Sequence, residues 1–297
     1  MSIKIANAPC SWGVDYADAK DNPGWQKFLE EIAEAGYQYT ELGPFGYLPT
    51  ITEKIRLELD KLNLKIIGGF VFDNLHISNQ HSQIKEKIIN TFKLLNSLDS
   101  KVFVIMDHLS DERMKNSGNQ SKSPKLDLNE YKSLVNFLKE ISKICYDQYG
   151  LKPTIHPHAG TYIEYENELD NLLNDVDYKY LGVCLDTAHL HYCGIDPYNA
   201  IEKYSSVIEH MHFKDVNQSV LEMVHKDSLD FNDAVKNQVF CPLGTGIIDF
   251  EKVIKLLNNI NYDGYATIEQ DIDPNEGLNP IDYAKKSLSY LKKLGLN

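Results

Sequence analysis

Eight short apolar runs alternate with helical patterns along the chain. The runs predict strands at residues 3–9, 37–42, 64–72, 101–106, 152–156, 180–186, 207–214 and 264–269. Between them, apolar residues recur at helical spacing, as Trp25, Phe28, Leu29 and Ile32 do. Strands that alternate with helices predict parallel βαβ units. Eight such units close into a (β/α)8 TIM barrel, which typically takes about 250 residues.

The helices and loops complete one predicted α/β domain over residues 1–297. Helices are predicted at 23–35, 52–62, 80–98, 129–149, 167–173 and 280–294, with two more after Asp196 and Asp249. Thr52 and Asp249 are predicted helix N-caps. Insertions are expected near 109–126, an exposed polar loop, and near 216–246, an irregular excursion. An open doubly wound sheet is the alternative, but CSWG after the first strand lacks the G-x-G-x-x-G turn.

The composition narrows the class of protein. Thirty basic residues against 43 acidic ones give a net charge of −13, which disfavours nucleic acid or an anionic membrane as partner. Five cysteines without a C-x-x-C pair indicate reduced thiols. No signal peptide is recognisable, and no run approaches the roughly 20 apolar residues of a membrane span. We expect a cytoplasmic protein.

The strand ends carry the candidate functional residues, because barrel sites form at the carboxyl ends of the strands. These candidates are Glu41, Asp73, Asp107, His108, His156, His158, Asp186, His189, His210, His212, Lys214, Glu269 and Asp271. Alternation along a strand places His210, His212 and Lys214 on one face. It also places His156 and His158 on one face of strand five. Imidazole and carboxylate donors without thiolate suit Mn²⁺, Co²⁺, Fe²⁺ or Zn²⁺.

Structural roles are the alternative for each candidate. A single histidine at a strand end is more often a hydrogen-bonded structural residue than a ligand. Asp186 is also a candidate N-cap of the next helix, and Glu41 a candidate salt-bridge partner inside the barrel. The metal hypothesis is favoured because Asp186, His212 and Glu269 follow one another on three consecutive strands.

Several motifs resemble one superfamily. DTAH after strand six, HFKD after strand seven, PLGTGIID and IE on strand eight resemble the xylose-isomerase-like barrels. Within that superfamily, APCSWG (8–13), ELGPFGYLP (41–49) and HPHAGT (156–161) are similar to the inosose dehydratases. The resemblance covers nearly the whole chain. The last three motifs distinguish this subgroup from the rest of the superfamily.

The resemblance implies a set of metal ligands. Asp186, His212 and Glu269 match three of the superfamily's four ligands, and His156 stands where a glutamate is usual. Glu164, eight residues further on, is an alternative fourth ligand from a loop. The resemblance also implies Mn²⁺ or Co²⁺, with Zn²⁺ or Fe²⁺ as alternatives, and glutathione as a cofactor.

The resemblance further implies dehydration of 2-keto-myo-inositol to a trihydroxycyclohexane-1,2-dione. The hypothesis is that a metal ion polarises the ketone and that Glu269 or His156 removes the α proton to give an enediolate. His158, His189 or Lys214 then protonates the departing hydroxyl. Trp12, Glu41 and Asp107 are the predicted substrate contacts.

Three other functions fit the same barrel. A sugar or sugar-phosphate isomerase or epimerase is disfavoured by His156, since epimerases pair two glutamates. A DNA-repair enzyme of the endonuclease IV type would need a basic groove. A barrel without turnover is the third alternative. The expected partner is a small cyclitol or sugar, and a homo-oligomer is common for such barrels.

Overall fold

Eight parallel strands close into a barrel in this computed structural model, which describes residues 3–273 and 277–296. The strands are β1 (Lys4–Asn7), β2 (Tyr39–Glu41), β3 (Lys65–Asp73), β4 (Val102–Asp107), β5 (Lys152–Ile155), β6 (Gly182–Asp186), β7 (Ile208–Phe213) and, last in the chain, β10 (Tyr265–Ile268). Each pairs with its sequence neighbour, and β10 closes the barrel by pairing with both β7 and β1. The predicted (β/α)8 architecture is confirmed.

Helices surround the strands. They are α1 (Trp25–Glu34), α2 (Thr52–Leu62), α3 (His81–Ser97), α4 (Asp111–Lys115), α5 (Leu128–Tyr149), α6 (Glu166–Asp175), α7 (Thr187–Tyr192), α8 (Pro197–Lys203), α9 (Gln218–Asp227), α10 (Phe231–Lys236), α11 (Phe250–Asn259) and α12 (Pro280–Lys293). In α1, Phe28, Leu29 and Ile32 lie on one face and are buried. Burying each such side chain contributes about 1.5–3 kcal/mol. This apolar stripe fixes the helix against the barrel.

Local signals set where several helices begin and end. Asp127 and Glu130 form a capping box at the start of α5, and Gly150 ends that helix in the left-handed conformation. Asp249 caps α11 by accepting the backbone N–H of Lys252, as predicted. The prediction for Thr52 is wrong. Ile51 occupies the N-cap of α2 without a side-chain bond, and the Thr52 hydroxyl pairs with Ser97 instead.

Both insertions are more ordered than the sequence indicated. Residues 109–126 contain α4, and the Arg113 side chain is fully buried, so this is not simply an exposed loop. Residues 216–246 contain α9, α10 and β9 (Phe240–Cys241), which pairs antiparallel with β8 (Asp215–Val216). Asp215 ties this insertion together, because its carboxylate accepts the backbone N–H groups of Gly244, Gly246 and Ile248. The chain therefore builds two ordered insertions.

None of the helices in the described residues is long and apolar enough to cross a membrane.

Candidate metal centre

Four side chains converge at the carboxyl ends of neighbouring strands. His156 follows β5, Asp186 ends β6, His212 lies near the end of β7, and Glu269 follows β10. The register pairs Asp186 with His212. One potential ligand atom from each of the four residues lies within 4.8 Å of the others, and all four residues are buried. The sequence-predicted set is thus brought together by strand order.

Three atoms of this cluster accept or donate no hydrogen bond. They are His156 Nδ1, Asp186 Oδ2 and His212 Nδ1. The other oxygen of Asp186 caps α7 by accepting the backbone N–H groups of Ala188 and His189 at 2.7 and 2.9 Å. The predicted N-cap role of Asp186 is therefore confirmed through Oδ1, and Oδ2 makes no hydrogen bond and lies in the cluster. A buried polar atom without a hydrogen bond costs about 1–3 kcal/mol, and a cation coordinated here would contact all three atoms.

Glu41 lies next to this cluster, inside the barrel. Its Oε1 accepts from Thr267 Oγ1 at 2.6 Å and lies 3.0 Å from His210 Nε2 and 3.2 Å from His212 Nε2. Burial raises the pKa of the Glu41 carboxyl, but the adjacent His212 and His210 outweigh burial and hold the pKa below its usual range. Glu41 is therefore an ionised carboxylate in the barrel interior.

The Lys214 ammonium lies among three carboxylates. Its Nζ is 2.9 Å from Asp271 Oδ1, 3.2 Å from Glu269 Oε2 and 3.5 Å from Asp186 Oδ2. Burial lowers the pKa of Lys214, yet these carboxylates outweigh burial and raise it. Burial likewise opposes ionisation of Glu269, but His212 and Lys214 hold its pKa below the usual range. One positive charge among three negative ones leaves two negative charges.

His158 and His189 stack beside the cluster, with ring centroids 3.8 Å apart. His158 Nδ1 lies 2.8 Å from the carbonyl oxygen of Ala159. A carbonyl only accepts, so Nδ1 carries the proton of the neutral ring and Nε2 keeps its lone pair. Burial lowers the pKa of His158 to about 4, which keeps the ring neutral at pH 7.

A cavity of about 520 Å³ opens onto the cluster. His156, His158, His212, Glu41 and Glu269 line it. The two insertions form part of its wall, α4 through Asp111 and Met114, and α10 through Phe231, Asn232, Val235 and Lys236. The remaining lining residues are Cys10, Asp15, Tyr16, Phe70, Phe72, Val104, Met106, His108, Leu109, Asp271, Ile272 and Asp273.

Two predicted substrate contacts, Trp12 and Asp107, do not line the cavity. Trp12 packs edge-on against Phe28 and donates its Nε1–H to Glu31 at 2.7 Å, so the indole belongs to the core beneath α1. The Asp107 carboxylate is held by the segment that follows β3. It accepts the backbone N–H of Leu75 at 2.8 Å and lies 2.9 Å from His76 Nδ1. Neither side chain lines the cavity.

Three other assignments are also corrected. Glu164 does not complete the metal cluster, because its carboxylate accepts from Ser117, Gly118 and Gly160 and pairs with Arg113. His189 and Lys214, the other predicted proton donors, are buried behind the residues that line the cavity.

Sequence reasoning missed the residues that organise the insertions. Arg113 pairs with Glu164 and Glu168 while fully buried. The sequence did contain a signal: the chain has only two arginines, Arg56 and Arg113, and its other basic residues are lysines. The residues of α10 that form part of the cavity wall were also missed. Asp230 followed by the amphipathic stretch FNDAVK was the available sign of a short capped helix.

Comparison with known proteins agrees with this architecture. A family model described as xylose isomerase-like TIM barrel matches residues 29–294. The inosose dehydratase of Clostridium beijerinckii is 29% identical over 294 residues, which cover 98% of this chain and 97% of that protein. The inosose dehydratase of Geobacillus kaustophilus is 30% identical over 303 residues, covering 98% and 94%.

Solved structures share the fold at low sequence identity. The IolI protein with a bound zinc atom superposes with a TM-score of 0.74 at 15% identity, covering 98% of both chains. The 3-keto-D-glucoside 4-epimerase YcjR from E. coli gives 0.71 at 16% identity, covering 98% of this chain and 100% of that one. Since the closed barrel, the family model and the full-length relatives agree, this chain belongs to the xylose isomerase-like TIM barrel family.

Proposed function

We propose that this chain is a divalent-metal-dependent dehydratase that removes water from 2-keto-myo-inositol and forms a trihydroxycyclohexane-1,2-dione. The observation that carries the proposal is the buried cluster of His156, Asp186, His212 and Glu269, whose unpaired donor atoms converge beside a cavity. The substrate comes from the names of the relatives, which are inosose dehydratases at 28–30% identity over nearly the full chain.

The donor set fits a divalent cation. His156 Nδ1, Asp186 Oδ2, His212 Nδ1 and the Glu269 carboxylate would hold it. Nitrogen and oxygen donors of this kind suit Mn²⁺, Co²⁺, Fe²⁺ and Zn²⁺. When bound, such a cation supplies Lewis acidity that polarises the ketone and acidifies the neighbouring C–H.

His158 is the proton carrier in this proposal. Its ring lines the cavity, and the Ala159 carbonyl holds the proton on Nδ1, so Nε2 is free to accept one. The α C–H bond breaks and its proton goes to His158 Nε2, while its electron pair forms a C=C bond to the β carbon, which carries the departing hydroxyl. The C–O bond of the β hydroxyl breaks, and that oxygen leaves as water with the proton from His158. The enol product relaxes to the dione, so no oxidant or reductant is needed.

Glu269 is the alternative base, because it also lines the cavity. Lys214 acts behind it as a positioning residue. Its ammonium bridges Glu269 and Asp271 and fixes their orientation. Fixed charges of this kind act without reorganisation during the reaction. The sequence hypothesis of Lys214 as proton donor is therefore replaced by an electrostatic role.

The cavity favours an uncharged substrate. Six acidic side chains and one lysine, Lys236, line it; the six are Asp15, Glu41, Asp111, Glu269, Asp271 and Asp273. Burial raises the pKa of Asp15 to about 7, so the other five carry most of the negative charge. Such a surface repels phosphates, which counts against a sugar phosphate or a DNA backbone. Phe70, Phe72 and Phe231 supply an apolar wall that suits the C–H face of a polyol ring.

The test compares products. Metal-loaded protein is incubated separately with 2-keto-myo-inositol and with a ketohexose, and the products are identified by mass and NMR. We expect loss of one water from the inosose and no epimer of the ketohexose. An epimer, with the inosose unchanged, would replace the lyase by an epimerase. Glutathione, the homo-oligomer and the cytoplasmic location stay predictions.

A further inference from the structure

Glu41 and His212 lie on strands that are not neighbours, yet their side chains meet inside the barrel. Two strands, β1 and β10, separate β2 from β7 in the barrel order. Glu41 Oε1 nevertheless lies 3.2 Å from His212 Nε2. Both residues are almost completely buried. The Glu41 carboxylate therefore reaches across the barrel interior to His212, a candidate metal ligand.

The contacts of Glu41 determine which nitrogen of His212 carries a proton. A carboxylate oxygen only accepts, so an imidazole nitrogen that pairs with it must be the N–H. Thr267 Oγ1 donates to the same oxygen, and His210 Nε2 approaches it at 3.0 Å. Three donors therefore converge on Glu41 Oε1. The proton on His212 Nε2 is held in place, and the other nitrogen of that ring is left for a different partner.

The other nitrogen of His212 faces the candidate metal centre. His212 Nδ1 makes no hydrogen bond and lies 3.1 Å from Glu269 Oε2. Histidines that bind metals commonly donate their second N–H to a carboxylate, which fixes the ring orientation and raises ligand basicity. We infer that Glu41 is a positioning residue that locks His212 with Nδ1 toward the cation, rather than a substrate contact. This inference rests on the metal centre of the proposed function.

The experiment measures cation affinity in Glu41→Leu, which removes the acceptor but keeps a similar volume. Zn²⁺ dissociation constants are obtained by competition with a chelating dye at one pH, on protein shown by circular dichroism to be folded. We expect affinity to fall about 10- to 100-fold. Glu41→Gln, which keeps a neutral acceptor oxygen, should lie between Glu41→Leu and the unaltered chain. Glu164→Gln is the matched control for Glu41→Gln, because Glu164 is equally buried but bonds to Ser117, Gly118 and Arg113 outside the cluster, and it should keep the affinity of the unaltered chain.

A second readout separates positioning from simple support of the fold. In ¹⁵N-labelled, Zn²⁺-loaded protein, the N–H of His212 should reside on Nε2 and exchange slowly with solvent, and Glu41→Leu should lose this signal. Wild-type affinity in folded Glu41→Leu, or a His212 proton found on Nδ1, would overturn the inference. Failure of the proposed dehydration is a separate outcome, because these measurements need no substrate.

Discussion

Asp186 and His212 stand directly opposite each other in the register of β6 and β7. Parallel pairing therefore brings a carboxylate and an imidazole together without any contribution from a loop. Because Asp186 also caps α7 through Oδ1, the same residue fixes the start of the helix and points Oδ2 into the cluster. The position of this candidate ligand is thus coupled to the backbone of the barrel.

Asp186→Asn separates the two roles of this residue. Asparagine caps helices about as well as aspartate, so we expect the thermal midpoint of the metal-free protein to stay near that of the unaltered chain. The ligand charge is lost, so bound metal should fall to background. Elemental analysis after dialysis measures the metal, and scanning calorimetry the midpoint. Asp249→Asn, at the cap of α11, is the control and should retain metal. Retained metal and activity in Asp186→Asn would remove this residue from the cluster.

His156→Glu tests the residue that departs from the superfamily pattern. A second carboxylate opposite Glu269 should keep the cation and shift the chemistry from dehydration toward epimerisation. Product analysis by NMR with deuterated solvent reports proton exchange without loss of water. His156→Gln, which adds no charge, is the matched variant and should show no such shift. An unchanged metal content and product in His156→Glu would mean that this position is not equivalent to the superfamily glutamate.

Arg113 should contribute several kcal/mol to the free energy of unfolding. Its guanidinium is buried and pairs with Glu164 at 3.3 Å and Glu168 at 2.8 Å. Removing one partner of a buried ion pair costs about 3–5 kcal/mol, so Arg113→Met should lower the free energy of unfolding by about that amount. Denaturant titration measures the change. Lys115→Met, in the exposed pair with Glu112, should have no measurable effect. Equal stability of the two variants would argue against the buried network.

The His76–Asp107 pair predicts a pH-dependent stability. Burial lowers the pKa of His76, but Asp107, 2.9 Å away, outweighs burial and raises it. A raised pKa in the folded protein means that the contribution is full below the unfolded value of about 6.5 and is lost as pH rises through the folded value. His76→Gln should therefore destabilise the protein more at about pH 5.5 than at about pH 9. Denaturant unfolding at both pH values measures this, and an equal loss at both would contradict the assigned charge.

The sequence was most informative where regular structure decides the geometry. Strand alternation and barrel order were enough to group Asp186, His212 and Glu269, because residues at strand ends inherit their direction from the sheet. Trp12 and Asp107 were predicted to contact substrate but do not line the cavity, because both lie where a strand ends and the chain turns. There, long-range contacts with Glu31 and His76 decide where the side chain points. The buried role of Arg113 could not be predicted for the same reason, because its partners lie 51 and 55 residues away in the sequence.

Dehydration of 2-keto-myo-inositol by metal-depleted and reconstituted protein tests the central claim most directly. The enolised dione absorbs in the ultraviolet, so its appearance can be followed continuously. The account predicts no signal after chelation, and recovery when Mn²⁺, Co²⁺ or Zn²⁺ is returned to the unaltered chain but not to Asp186→Asn. Formation of the dione at full rate in the presence of chelator, or no formation by protein shown to hold the cation, would contradict it.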